Sequence, residues 1–165
     1  MTEEEYTDIF MGNLYAHKRI NPKNSKLFFE KAENRYKGLK IEENIKENLV
    51  KLKEKFELFI VTSSKESILK NYFHENNLNS LFTEILGYET HTSKEHKFDL
   101  LLKKYGLKKE ECIFITDILG DILEANLAGI KTFAVNFGFH DEEVLKKGSP
   151  AKIISSFAEI DKLIN

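Results

Sequence analysis

Two aspartates spaced four residues apart, Asp117 and Asp121, carry the strongest chemical signal in the sequence. The apolar run Cys112–Thr116 predicts a strand that ends just before Asp117, and Asp121 falls where the next helix is expected to begin. Two carboxylates near a strand end suit Mg²⁺, which takes hard oxygen ligands together with several waters. Aspartates also cap helices and turns, so this segment taken alone fits either a metal site or a structural role.

Two hydroxyl side chains, Thr62 and Ser63, follow a second apolar run at Leu58–Val61. Ser63 and Glu66 have the spacing of a capping box, which predicts that a helix begins at Ser63. The N–H groups at the start of a helix bind phosphate readily. Plain capping of the helix by Ser63 or Ser64 is the alternative interpretation.

A lysine, Lys94, directly precedes the helix predicted around Phe98. A cation at a helix start faces an unfavourable dipole, which indicates that something anionic offsets its charge. A lone lysine is more often an exposed surface residue, and Lys97 is a competing candidate three residues further on.

The elements that would position these groups alternate between strand and helix from about residue 41 onward. The predicted strands are Leu58–Val61, Glu84–Leu86, Cys112–Thr116, Thr132–Val135 and Lys152–Ile154. Such an alternation predicts an α/β fold with a parallel sheet that is covered by helices on both faces. In these sheets the active site lies beyond the C-terminal ends of the strands, which is where Thr62, Ser63 and Asp117 fall.

The two ends of the chain have a helical pattern. Residues 1–40 are predicted to be helical, with a capping box at Thr2 and Glu5 and a second helix that starts at Pro22. A closing helix is predicted through Phe157 and Leu163.

Composition narrows the class of protein. The 165 residues fit one domain, and 41% hydrophobic with 32% charged residues is typical of a globular protein. A formal net charge of −2 gives no field to recruit nucleic acid or anionic lipid. One cysteine excludes an internal disulfide, and no stretch is long enough to span a membrane. The acidic N-terminus lacks the regions of a signal peptide, so we expect a cytoplasmic protein.

The combined motifs resemble the haloacid dehalogenase-like (HAD) superfamily, in particular its phosphoglycolate-phosphatase-like members. Members carry a Thr or Ser after an apolar strand, a Lys ahead of a helix, and a strand that ends in Asp-x-x-x-Asp. This sequence supplies Thr62, Lys94, and Asp117 with Asp121 in that order, and Gly148–Ile154 resembles the end of such members. The resemblance implies a three-layer α/β/α, Rossmann-like core over residues 41–165, with residues 1–40 as a partial helical cap.

The resemblance also implies a function, a Mg²⁺-dependent phosphatase that acts on a small phosphorylated metabolite. Thr62 and Lys94 would hold the phosphate, and Ser63 would add a backbone N–H. Asp117 would bind the metal, while Asp121 would bind it indirectly or orient a water or Lys94.

Two departures from the family pattern stand out. Thr116 occupies a position where Gly or Ser is commoner. More importantly, the family's nucleophile lies in an Asp-x-Asp motif on the first core strand, and the only aspartate before residue 99 is Asp8, which has no such partner. The core is therefore expected to miss its first strand, and the chain is expected to hydrolyse phosphate esters poorly or not at all.

Three arrangements could accommodate a missing central strand. The flanking strands could pair directly, a second chain could supply a strand, or the chain could be truncated upstream of residue 1. We favour truncation. A non-catalytic phosphate- or metal-binding protein, or a half-domain completed by a homodimer or a strand-donating partner, is the alternative. A receiver fold uses similar residues, but its acidic pair comes early in the chain.

Overall fold

A computed structural model of the chain describes residues 3–156 and 159–160. The helices are α1 (Glu3–Ile9), α2 (Pro22–Tyr36), α3 (Glu43–Lys55), α4 (Glu66–Glu75), α5 (Lys94–Tyr105), α6 (Leu119–Ala128) and α7 (Glu142–Lys146). The strands are β1 (Phe59–Val61), β2 (Glu84–Leu86), β3 (Ile113–Thr116), β4 (Lys131–Val135) and β5 (Lys152–Ile154). Short 3₁₀ turns lie at Leu14–Ala16 and Lys109–Glu111.

The chain divides into two compact units, one of Met1–Ile20 with Ser93–Glu159 and the other of Asn21–Thr92 with Ile160–Asn165. The first, called the acidic unit because it carries Asp117 and Asp121, contains β3, β4 and β5, and the second contains β1 and β2. The expected boundary between a cap over residues 1–40 and a core over residues 41–165 stays a prediction.

The first unit is organised around a parallel sheet in the order β3–β4–β5. Parallel strands need a crossover, and α6 supplies it between β3 and β4. Ile122 of α6, Ala134 of β4 and Leu145 of α7 form a fully buried cluster. Because α6 directly follows β3, this crossover places the Asp117 turn at the C-terminal end of a strand, as the sequence predicts.

The second unit contains the parallel pair β1–β2, in which Ile60 lies opposite Ile85. Its core is a cluster of Leu69, Phe73, Leu78 and Leu81, against which the partly buried Ile60 and Ile85 pack. Helix α4 contributes Leu69 and Phe73 from one face, as expected for an amphipathic helix.

The α/β class with parallel strands is confirmed, and every predicted strand is present to within one residue. Helix α5 ends at Gly106, whose φ of 65° is the left-handed conformation that glycine adopts readily after a helix. Helix α2 begins at Pro22 as predicted. The capping box that involves Thr2, and the closing helix through Phe157 and Leu163, lie outside the described residues.

The predicted start of α4 at Ser63 is wrong. The helix begins at Glu66, and its N-cap residue Lys65 makes no side-chain capping bond. The reason is that the Glu66 carboxylate faces another segment, where it accepts the N–H of Gly87 at 3.1 Å and the hydroxyl of Thr90 at 2.6 Å.

No helix within the described ranges combines the length and the apolar character that crossing a membrane would require.

We predict that Ile122→Ala lowers the free energy of unfolding by about 2–5 kcal/mol, because it empties space in a fully buried cluster. Leu127→Ala is the matched control, since Leu127 lies in the same helix but is 71% exposed. It should change stability by less than about 0.5 kcal/mol. Urea denaturation of both variants measures the difference, and equal losses would contradict the described packing of α6.

Candidate active site

The acidic turn joins β3 to α6. Strand β3 ends at Thr116, Asp117 follows it, and Asp121 lies in the first turn of α6, which begins at Leu119. A carboxylate in this position is stabilised by the partial positive charge of the helix N-terminus. The predicted strand–turn–helix arrangement of the two aspartates is therefore confirmed.

Lys94 is part of this site and is not a surface residue. It is the first residue of α5, and its Nζ lies 2.7 Å from Oδ1 of Asp121. The two side chains are 5% and 16% exposed, so the ion pair is largely removed from water. The Thr116 hydroxyl donates to Oδ2 of Asp121 at 3.0 Å. Both carboxylate oxygens of Asp121 are thus engaged by protein groups. The competing candidate, Lys97, is also fully buried in α5.

Asp117 is held by the loop that follows β4. Its Oδ2 accepts the backbone N–H of Phe139 at 2.7 Å, and its backbone carbonyl accepts the N–H of His140 at 3.1 Å. A Cβ atom on Gly138 would overlap the Asp117 side chain, so only glycine allows this close approach. The carboxylate therefore has a defined position at the strand end.

The donor set fits Mg²⁺ better than a metal that prefers nitrogen or sulfur. Among the described residues, no three His, Cys, Asp or Glu side chains come together as a ligand cluster. Mg²⁺ is often bound by one or two carboxylates and keeps several waters, which matches an acidic turn of this kind. Lys94 and Thr116 engage both carboxylate oxygens of Asp121, so Asp117 is the aspartate of this turn that could hold the metal.

Thr62 and Ser63 follow β1 in the other compact unit. The Thr62 hydroxyl accepts the backbone N–H of Ser64 at 3.1 Å, which stabilises a local turn. Because α4 begins only at Glu66, neither residue lies in the first turn of a helix. Their predicted role in binding phosphate, and their convergence with Lys94 and Asp117, stay predictions.

Sequence reasoning missed a buried glutamate, Glu124. It is 6% exposed, and its Oε1 accepts the backbone N–H of Lys94 at 2.8 Å and the side-chain amide of Asn13 at 2.6 Å. Glu124 lies three residues after Asp121, which puts both carboxylates on neighbouring positions of one helix face. That spacing was the available signal, but a glutamate in a helix is ordinarily assumed to be exposed.

Sequence reasoning also missed His140. This residue is 3% exposed, and its Nδ1 accepts the N–H of Leu119 at 3.0 Å. Burial lowers the pKa of His140, against the opposing effects of Asp117, Asp141 and Asp121. The second ring nitrogen, Nε2, is buried without a partner among the described residues, which costs on the order of 1–3 kcal/mol.

Residues 3–135 match the family model described as "Haloacid dehalogenase-like hydrolase". The chain is 32% identical over 139 residues to the protein named "Putative pyrophosphatase PpaX" of Caldanaerobacter subterraneus, covering 82% of this chain and 62% of that protein. It is 27% identical over 118 residues to the phosphoglycolate phosphatase of Aliivibrio fischeri, covering 69% of this chain and 52% of the relative. The chain thus spans between about half and two-thirds of the length of these relatives.

Among solved structures, a "predicted phosphatase" from Clostridium acetobutylicum has a TM-score of 0.78 at 20% identity. The match covers 99% of this chain and 83% of that one, and it supports the α/β fold.

We predict that Lys94→Met destabilises the protein by about 3–5 kcal/mol, because it leaves the largely buried Asp121 carboxylate without its cation. Lys146→Met is the control, since the pairs of Lys146 with Glu142 and Glu143 are exposed and should contribute little to stability. Chemical denaturation at neutral pH measures both. A loss no larger for Lys94 than for Lys146 would show that the ion pair is not formed.

Proposed function

Because the chain belongs to the haloacid dehalogenase-like hydrolases, we propose that it carries the metal- and phosphate-holding part of a Mg²⁺-dependent phosphoric monoester hydrolase. The observation that carries this proposal is the buried Lys94–Asp121 pair beside Asp117. A cation and two carboxylates at one strand end are the groups that phosphoryl transfer requires for charge stabilisation.

The charge balance of the acidic turn favours a divalent cation. The carboxylates of Asp117 and Asp121 outnumber the ammonium of Lys94, and the buried Glu124 carboxylate also lies beside Lys94. A bound Mg²⁺ would offset this negative charge, and the site would then repel a phosphate group less. The metal and the phosphate ester are therefore expected to bind with positive cooperativity.

Each residue of the site has a distinct part in the proposal. Asp117 would hold Mg²⁺, which when bound supplies Lewis-acid stabilisation of the transferring phosphoryl oxygens. The Lys94 ammonium would offset phosphate charge, and Asp121 would fix its direction through the 2.7 Å contact. In the proposal, Thr62 would donate its hydroxyl to the phosphate, and Ser63 would donate its backbone N–H.

The proposed substrate class is a small phosphorylated metabolite. Support comes from the printed names of the relatives, a phosphoglycolate phosphatase and a pyrophosphatase, whose substrates are both small and anionic. The buried lysine in the acidic unit is compatible with any ester of this class.

A second candidate function is phosphate and metal binding without turnover. It is favoured by one feature of the sequence: the 165 residues contain no Asp-x-Asp motif to supply the nucleophile. We therefore expect the chain to bind Mg²⁺ and phosphate but to hydrolyse esters slowly or not at all. Completion by a second copy or by a strand-donating partner is a variant of this proposal.

We predict that Mg²⁺ and inorganic phosphate together raise the melting temperature of the 165-residue chain more than either does alone. By linkage, a hundredfold excess of ligand over its Kd stabilises the folded state by about 2.7 kcal/mol. Asp117→Asn should abolish the combined shift, whereas Asp8→Asn, at an exposed aspartate outside the acidic turn, should preserve it. Differential scanning calorimetry measures all three proteins.

The same proteins distinguish the two candidate functions. Mg²⁺-dependent release of phosphate from p-nitrophenyl phosphate, lost in Asp117→Asn, would establish an active phosphatase and contradict the expected inactivity. A combined thermal shift without turnover would support the binding function. If no shift occurs with Mg²⁺ and phosphate together, both the phosphatase proposal and the binding proposal are wrong.

A further inference from the structure

The His140 imidazole acts as a hydrogen-bond acceptor in the acidic unit. It lies in the loop after β4 and is 3% exposed. Its Nδ1 accepts the backbone N–H of Leu119 at 3.0 Å. Because a ring nitrogen that accepts carries no proton, the neutral ring has its proton on Nε2.

Helix α6 needs an external acceptor because its own N-cap residue cannot provide one. The first N–H groups of a helix have no partner within the helix, and Ile118 at the N-cap position has no polar side chain. The N–H of Leu119 is satisfied by His140, and the N–H of Gly120 is satisfied by the carbonyl of Phe10 at 3.0 Å. The start of the helix is therefore capped by two segments that are distant in sequence.

The segment around His140 also fixes Asp117. The N–H of Phe139 binds the Asp117 carboxylate, and the N–H of His140 binds the Asp117 carbonyl. The absence of a side chain on Gly138 allows this approach. Residues 138–140 thus hold the Asp117 carboxylate through the backbone N–H of Phe139. They also hold the first amide of α6, that of Leu119, through the His140 imidazole.

Nε2 of His140 has no hydrogen-bond partner in the part of the chain that the structure describes, which indicates which ring nitrogen has the structural role. A buried donor without a partner is unfavourable, so Nε2 gives no reason for a histidine at this position. An apolar side chain of similar size would remove that donor, but it would also leave the Leu119 N–H without its acceptor. The hydrogen bond that Nδ1 accepts from Leu119 therefore explains why a histidine occupies this position.

We propose that His140 is a positioning residue for the metal site, which holds Asp117 and the start of α6 in one geometry without touching metal or substrate. This inference rests on the proposed function, because it assigns Mg²⁺ binding to Asp117. Groups that orient a metal ligand from behind typically change metal affinity by about 10–100-fold when they are removed.

Three substitutions separate the roles of the two ring nitrogens. His140→Asn places an amide oxygen close to the position of Nδ1. His140→Gln moves that oxygen one bond further, towards the position of Nε2, and His140→Leu has no acceptor. His96→Asn is the matched control, since His96 is exposed.

Binding of Mn²⁺, used as a paramagnetic probe for the Mg²⁺ site, is measured by electron paramagnetic resonance on the full chain. We expect His140→Leu and His140→Gln to weaken Mn²⁺ binding by about 10–100-fold and to speed hydrogen exchange at the Leu119 amide. His140→Asn should restore most of both properties, and His96→Asn should change neither. If the leucine variant fails to fold, the comparison of asparagine with glutamine gives the same answer.

The inference and the proposed function fail in different ways. If Mn²⁺ binds the unaltered chain and is lost in Asp117→Asn, while His140→Leu or His140→Gln binds as tightly as the unaltered chain, the inference alone is overturned. If the unaltered chain binds no Mn²⁺, the metal-binding function is overturned and the inference with it.

Discussion

The ion pair between Lys94 and Asp121 is the interaction on which the acidic unit depends. Removing two charged groups from water is costly, and their attraction offsets that cost only where the geometry is good and further hydrogen bonds are made. Both conditions hold here, since the pair is 2.7 Å long, Thr116 donates to the same carboxylate, and Glu124 accepts the Lys94 backbone N–H. The pair joins the first turn of α5 to the first turn of α6, so the packing of these two helices sets the position of the lysine.

The N-terminal turn of α6 is the centre of this network because it concentrates groups that need partners. Its unpaired amides are satisfied by the imidazole of His140 and the carbonyl of Phe10. Gly120 is required where the Phe10 carbonyl approaches, because a Cβ atom there would overlap the backbone of Gly12 and Phe10. The same turn carries Asp121, so the interactions that cap the helix also help to fix the position of the Asp121 carboxylate.

The segment before residue 20 lies in the same compact unit as the acidic turn. Asn13 donates to the buried Glu124, and the Phe10 ring packs edge-on against Phe139, with ring centroids 4.9 Å apart. Phe139 in turn donates its N–H to Asp117. This early segment therefore contacts the group that holds Asp117 as well as the helix that carries Asp121, which makes it part of the proposed site's supporting structure.

Sequence alone determined the strands, the strand–turn–helix that carries Asp117 and Asp121, and the family resemblance, because these follow from local periodicity and short spacings. Tertiary structure decided the burial of Lys94, the Glu124 contacts and the role of His140. Lys94 and Glu124 lie 30 residues apart in sequence, Asn13 and Glu124 lie 111 apart, and Leu119 and His140 lie 21 apart. No local sequence pattern specifies contacts over such separations. Capping was misjudged at Ser63 for the same reason: the Glu66 carboxylate binds Gly87 and Thr90, and such distant partners outweigh a four-residue motif.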